Sequence, residues 1–375
     1  MPISPQQLEP SGLDIQGPKP AIWHRDISSL LKFDYTPKAS FRELSVFCRK
    51  VSFLLAAGIP IKNTLTIVSE QLPGRSLRRL LPGLNSRVMQ GESFSAATKA
   101  TGAFPAFFCG FAAIGEATAK LPHVMEQLAD FYDDQAQTRD ELTAALVYPI
   151  AVTIMMLGVI VLAVTFVLPG YSRIFAATGV PLPPLTRGLL NISEFLIVNS
   201  YLVTICLFVV IFALAFFVRS KHGRELVAGV QLRIPLARQG VNFRLTQALH
   251  LLLSAGLSVS QALPLAEEVM ENIRVRRDIS KISTQLSMGM SFWEALGEVQ
   301  YIDPLLVGLA RVGEEAGRMP QTMEKCQGYY AQAYRRAIKR LNKLVEPVIT
   351  LILGLGLGII MLAVILPTFE LATVI

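Results

Sequence analysis

The chain repeats itself, and this duplication constrains its fold more than any other feature of the sequence. At a constant offset of 198 residues, LLAAGIPI (54–61) aligns with LLSAGLSV (252–259) and QGESFSAA (90–97) with MGMSFWEA (288–295). At the same offset IGEATAKLP (114–122) aligns with VGEEAGRMP (312–320), VYP (147–149) with VEP (345–347), and LP (168–169) with LP (366–367). At least 25 of the 128 positions from 44 to 171 match their partners without a gap. Chance gives about eight or nine for this composition. The two copies should share one fold.

Each copy ends in an apolar run. Tyr148–Leu168 has 21 residues without a charge, and Val348–Leu366 has 19. A third run, Phe195–Val218, has 24 residues, with Asn199 and Ser200 polar near its start. About twenty apolar residues at 1.5 Å rise cover a hydrocarbon layer of about 30 Å. Three buried helices in a soluble core are the alternative, but few such cores hold helices that are apolar all round. With 52% hydrophobic and 17% charged residues and a mean hydropathy of +0.46, the chain is neither disordered, collagen-like nor a small disulfide scaffold. The expectation is a membrane protein with large water-exposed parts.

The basic residues set its orientation. Residues 1–147 carry 15 Lys and Arg, 169–194 carry two (Arg173 and Arg187), 219–347 carry 18, and the tail after Leu366 none. The positive-inside rule then puts 1–147 and 219–347 in the cytoplasm, with the N-terminus, and 169–194 and 367–375 outside. The formal charge of +7 is read as basic flanks of the spans, not as nucleic-acid binding. No apolar signal segment is visible in the polar first forty residues. A unit with one span can face the same way twice only if a further helix carries the chain back. Phe195–Val218 is that return helix.

The soluble part of each copy reads as helical. Val124, Leu128, Phe131, Tyr132 and Gln135 share a helix face, as do Thr322, Cys326, Tyr329, Tyr330 and Ala333 at matching places. Gly58–Pro60, Pro73–Gly74, Gly91, Pro105 and Pro122 punctuate the first copy at helix-hairpin intervals. No sustained two-residue alternation suggests a sheet. The predicted fold is all-α: two homologous cytoplasmic bundles of about six helices each (44–147 and 219–347) and three transmembrane helices (148–168, 195–218 and 348–366). A polar tail occupies 1–43.

Little in the chain points to catalysis. It lacks GxxxxGK[ST], GxSxG and HExxH. The four cysteines (Cys48, Cys109, Cys206, Cys326) and four histidines have neither disulfide nor metal spacing. No cofactor or metal site is expected. Asp130, Asp133, Asp134, Asp140 and Glu141 cluster, which reads first as a solvated acidic face and second as a cation site. The repeated pairs Gly115–Glu116 and Gly313–Glu314 stand out. Glycine permits close helix approach or a left-handed turn, and a glutamate at one place in both copies can pair across a helix hairpin or face a partner. The spans hold no buried charges of a solute pathway. Gly354 and Gly358 form GxxxG, Gly158 aligns with Gly356, and these four glycines are candidates for helix packing in the membrane.

The AGIP and AGLS segments, the GE-x-x-G-x-(L/M) segment, Phe131–Tyr132 with Tyr329–Tyr330, and the YP and EP steps before the spans resemble the type II secretion system F family. The likeness covers 44–171 and 242–369. It implies a non-enzymatic inner-membrane platform of type II secretion or type IV pilus machines. Such a platform oligomerises, contacts a cytoplasmic hexameric ATPase and other inner-membrane components, and helps move pilin-like subunits from the bilayer into a filament. On this reading Gly115, Glu116, Gly313, Glu314 and Gly317 are candidate partner contacts or hinges. Copy one departs from the family pattern at Ala119, where copy two keeps Gly317, so a different turn is expected there. A small transporter or channel is the alternative function, and a membrane-anchored enzyme a third.

Overall fold

The computed structural model describes residues 39–72, 75–167 and 198–374, and a few single positions between 170 and 195. The polar tail up to residue 38 and nearly all of the expected outer loop 169–194 lie outside the described residues.

The described chain is helical throughout. Copy one supplies α1 (Phe41–Ala56), α2 (Ile61–Gln71), α3 (Arg75–Met89), α4 (Phe94–Thr101), α5 (Ala106–Ala117) and α6 (Leu121–Leu162). The last continues as a π-helical turn, Ala163–Val167. Then follow α7 (Ser200–Arg219) and α8 (Lys221–Gln231). Copy two supplies α9 (Pro235–Ser254), α10 (Val259–Val269), α11 (Ile273–Ser287), α12 (Phe292–Gly297), α13 (Pro304–Glu315) and α14 (Met319–Val374). Each element from α9 to α14 is the counterpart of one in copy one, and α8 precedes the second bundle; the positions equivalent to it, 23–33, lie outside the described residues.

Local chemistry explains the boundaries. Ser40 and Glu43 close a capping box at the start of α1: Ser40 N–H donates to Glu43 Oε2 at 3.0 Å and Glu43 N–H to Ser40 Oγ at 3.2 Å. Gly58 and Gly256 turn the chain after α1 and α9 with φ of 81° and 94°, which side chains disfavour. Gly91 and Gly289 do the same before α4 and α12, at 98° and 93°.

The two cores fill the same positions with different shapes. In copy one, Phe47, Phe94, Phe104 and Phe108 form a buried aromatic cluster, with Phe104 and Phe108 stacked at 4.7 Å. Their counterparts Leu245, Phe292, Ile302 and Leu306 are buried too. The fold therefore requires apolar volume at these places rather than one particular side chain.

In both copies the last helix leaves the bundle without interruption and becomes apolar. α6 and α14 each contain a window long and apolar enough to cross a membrane, and none of that window is buried in the protein. The buried face of α6 (Val124, Leu128, Phe131, Tyr132, Gln135) is the one the spacing predicts. In α14, Cys326 and Tyr330 are buried but Tyr329 is 48% exposed. α14 also runs on to Val374, so the predicted tail 367–375 is largely helix. α7 is apolar, and its described side chains are exposed; Phe195 and Val198, ahead of it, are helical as well.

Ala119 corrects the expectation of a different turn in copy one. It has φ of 55°, and Gly317 has 64°. Lys120 N–H reaches Gly115 O at 2.8 Å, and Arg318 N–H reaches Gly313 O at the same distance. Both copies make the same left-handed turn, and copy one holds it with a side chain that resists that conformation. Open space surrounds the Gly317 Cα. Ala119→Gly is therefore expected to stabilise the protein by about 1 kcal/mol, and Gly317→Ala to destabilise it by a similar amount. Thermal unfolding of the purified protein in detergent checks both, and a loss of stability in Ala119→Gly contradicts the reading.

Candidate functional site

The repeated Gly–Glu pairs lie at the end of α5 and α13, where three helices of a bundle meet. Glu116 points back to the start of α4. Its Oε1 accepts from Phe94 N–H at 2.8 Å, and its Oε2 accepts from Ser95 N–H at 3.1 Å and Ser95 Oγ–H at 2.7 Å. Ser93 Oγ accepts from Ala96 N–H at 3.2 Å, so the first N–H groups of α4 are satisfied by two side chains. In copy two, Glu314 accepts from Phe292 N–H at 2.9 Å and Trp293 N–H at 3.1 Å. A half-buried carboxylate on a helix N-terminus gains from both charge-assisted hydrogen bonds and the helix dipole.

The glycine makes the other half of the joint. A Cβ on Gly115 would lie 2.8 Å from Val124 Cβ; one on Gly313 would lie 2.8 Å from Thr322 Oγ1 and 2.9 Å from Met319 Sδ. The last turn of α5 or α13 thus rests directly on the first turns of α6 or α14. Glycine, glutamate and the left-handed turn together form a clasp that fixes where each long helix begins. Both carboxylate oxygens are engaged within their own bundle.

The two long helices meet beyond the clasps. Asp134 Oδ1 accepts from Arg335 NH2 at 3.1 Å and Oδ2 from Gln247 Nε2 at 3.0 Å; Gln135 Nε2 donates to Gln247 Oε1 at 3.2 Å in the buried interior. Burial pushes the Asp134 carboxyl up from the usual carboxylate range, against the pull of Arg335 and with help from Asp130 and Asp133. Elsewhere the acidic face of α6 is latched by arginines of α1, Arg49 to Asp130 and Arg42 to Asp140, each at 2.6 Å. Among the described residues no group of three or more His, Cys, Asp or Glu is placed to hold a metal ion.

Further along, Ala144, Tyr148 and Pro149 share a groove with Asn342, Val345 and Glu346. A Cβ on Gly356 would run into the Met156 side chain. Equivalent heights face each other, so the helices run parallel. Among the described residues, Gly356 alone of the four membrane glycines meets a neighbour, and Gly158, Gly354 and Gly358 have nothing within 4 Å. The GxxxG spacing is present, but within the chain Met156 sits on the glycine between its two members.

Removing the clasp charge should loosen the first turn of the short helix it caps, α4 or α12. Glu116→Gln and Glu314→Gln are each expected to cost about 1–3 kcal/mol, because one oxygen facing a helix N–H is replaced by an amide donor. Gly115→Ala should cost a similar amount through overlap with Val124. Hydrogen exchange at the first turns of α4 and α12 checks this: faster exchange in the Glu variants is expected, and unchanged protection contradicts the clasp.

Against known proteins, the family model described as type II secretion system, protein F matches residues 47–169 and again 245–367. The two matches are offset by the same 198 residues as the repeat. A type IV pilus assembly protein PilC of Thermus thermophilus is 25% identical over 88% of this chain and 82% of its own length. A type II secretion system protein F of Pseudomonas aeruginosa is 26% identical over 88% and 83%. An Escherichia coli protein named protein transport protein HofC homolog is 28% identical over 86% and 82%. With the family model covering both copies of the repeat, the chain belongs to the type II secretion system protein F family.

Proposed function

We propose that this chain is a multi-pass inner-membrane platform of a type II secretion or type IV pilus machine. In this role it links a cytoplasmic hexameric ATPase to the incorporation of pilin-like subunits into a filament. It performs no catalysis, stands beside other inner-membrane components of the machine and associates with further copies of itself. The N-terminus and both bundles face the cytoplasm, and α6, α7 and α14 cross the bilayer.

One observation carries this reading: the same bundle occurs twice, and in both its last helix continues unbroken into an exposed apolar segment. A bundle pushed by a partner passes that displacement into the membrane only if the connection is stiff. A continuous helix is stiff, and the clasp anchors its cytoplasmic end to two other helices of the bundle. Mechanical work enters as a rigid-body shift of the bundles and leaves as movement of α6 and α14 at the filament base. Their parallel contact from Asp134 to Gly356 couples the two outputs. The Gly–Glu segments serve as fixed joints in this scheme.

Three glycines inserted between Leu142 and Thr143, and three between Arg340 and Leu341, break the helices outside the bundle cores, at about 1 kcal/mol for each glycine. Filament assembly or secretion in cells is expected to fall at least tenfold while membrane level and bundle proteolytic resistance are retained. Normal assembly by the doubly inserted protein defeats the transmission scheme.

A further inference from the structure

The two bundles meet through surfaces that the duplication makes twice but the chain uses once. Leu265 of α10 packs against Gly110 of α5, close enough that a Cβ on Gly110 would lie 2.6 Å from Leu265 Cδ2. A knob on the second bundle fills a notch on the first. The counterpart notch is Gly308 on α13, and the counterpart knob is Ile67 on α2.

That second notch is open: among the described residues nothing lies within 4 Å of a Cβ placed on Gly308. The residues around it match a surface that is closed in copy one. Phe107 and Phe131 are buried, with rings 4.9 Å apart; their counterparts Leu305 and Tyr329 are 43% and 48% exposed. Ile114 packs on the core edge, whereas its counterpart Val312 is 60% exposed. Leu305, Gly308, Val312 and Tyr329 thus form an apolar patch on a water-facing bundle, which marks an interaction site. Ile67 is half-buried.

We propose that a second copy of this chain covers the patch, seating its Ile67 knob in the Gly308 notch as Leu265 seats in Gly110 within the chain. The occupant follows from the template. Knob and notch are homologous to a pair already in contact, and within one molecule they do not meet each other. A two-fold arrangement of the bundles would have brought Ile67 and Gly308 together inside one chain. The open notch shows a head-to-tail relation instead, and head-to-tail contacts join further copies rather than closing within one. The parallel α6 and α14 keep successive bundles on one side of the bilayer. This last step rests on the membrane reading above, but the knob-and-notch contact does not.

The test uses the full-length protein in its native membrane. Cys206 is the exposed one of the four cysteines, so Cys206→Ser supplies a quiet background. Two differently tagged copies are co-expressed, one with Ile67→Cys and the other with Gly308→Cys, and treated with a short bis-maleimide. A cross-link joining the two tags is expected, with none joining like tags when either variant is expressed alone. No joined product, with both cysteines labelling fully with a small maleimide, overturns the proposal. So does a product that joins Gly308→Cys to a different protein. Gly308→Trp is the second arm: it has room to fold and should lower the self-associated fraction in detergent at least tenfold. An unchanged fraction overturns the proposal. Loss of the cross-link with filament assembly intact sinks the interface alone, whereas an intact cross-link in a protein dispensable for filaments leaves the interface standing and removes the platform reading.

Discussion

A carboxylate held against a helix N-terminus organises each half of this molecule. Glu116 and Glu314 satisfy backbone N–H groups of a short helix that is also held by a serine N-cap and a buried phenylalanine. In doing so they tie α4 to α5, and α12 to α13. The neighbouring glycine then lets the same turn lie against the long helix. Position and direction of α6 and α14 follow from this joint, and with them the lines along which the apolar segments leave the bundles. An ion pair on the surface would contribute little here; a half-buried carboxylate accepting backbone donors contributes more and fixes direction as well.

Duplication explains the architecture, and divergence explains its asymmetry. The cores have exchanged aromatic for aliphatic volume at matching positions without changing the fold. The polar contact between copies is not duplicated: Asp134, Gln135, Gln247 and Arg335 bind across the interface, while their counterparts Gln332, Ala333, Arg49 and Gln137 differ in chemistry. Arg49 has instead turned to Asp130 on its own bundle. One face of the first bundle is closed by the second, and the homologous face of the second is left apolar and open.

Much of this was legible in the sequence because the repeat doubles every local signal. Helix number, turn positions and the Gly–Glu pairs are all readable from residues recurring at one offset. The partner of the glutamate was missed, although Ser93–Phe94 and Ser291–Phe292 recur at the same offset as the Gly–Glu pairs, which ties an N-cap to a distant carboxylate. Ala119 misled because residue type suggested a new turn, whereas the hydrogen bonds from Lys120 and Arg318 impose the old one. The acidic face of α6 is largely solvated, as its residues indicate, but its arginine partners on α1 and α14 are too far away in sequence to be read from it. GxxxG could not say which face of α14 meets α6, since the bundles below set that rotation.

The platform role requires two homologous bundles standing on one side of a bilayer, with their long helices entering it in the same direction. Fusions of a fluorescent protein and of alkaline phosphatase near residues 100 and 300 measure this directly. Both positions should give fluorescent fusions and inactive phosphatase. An active phosphatase at one position and fluorescence at the other would contradict the account, because the return helix and the parallel contact of α6 with α14 could not then coexist.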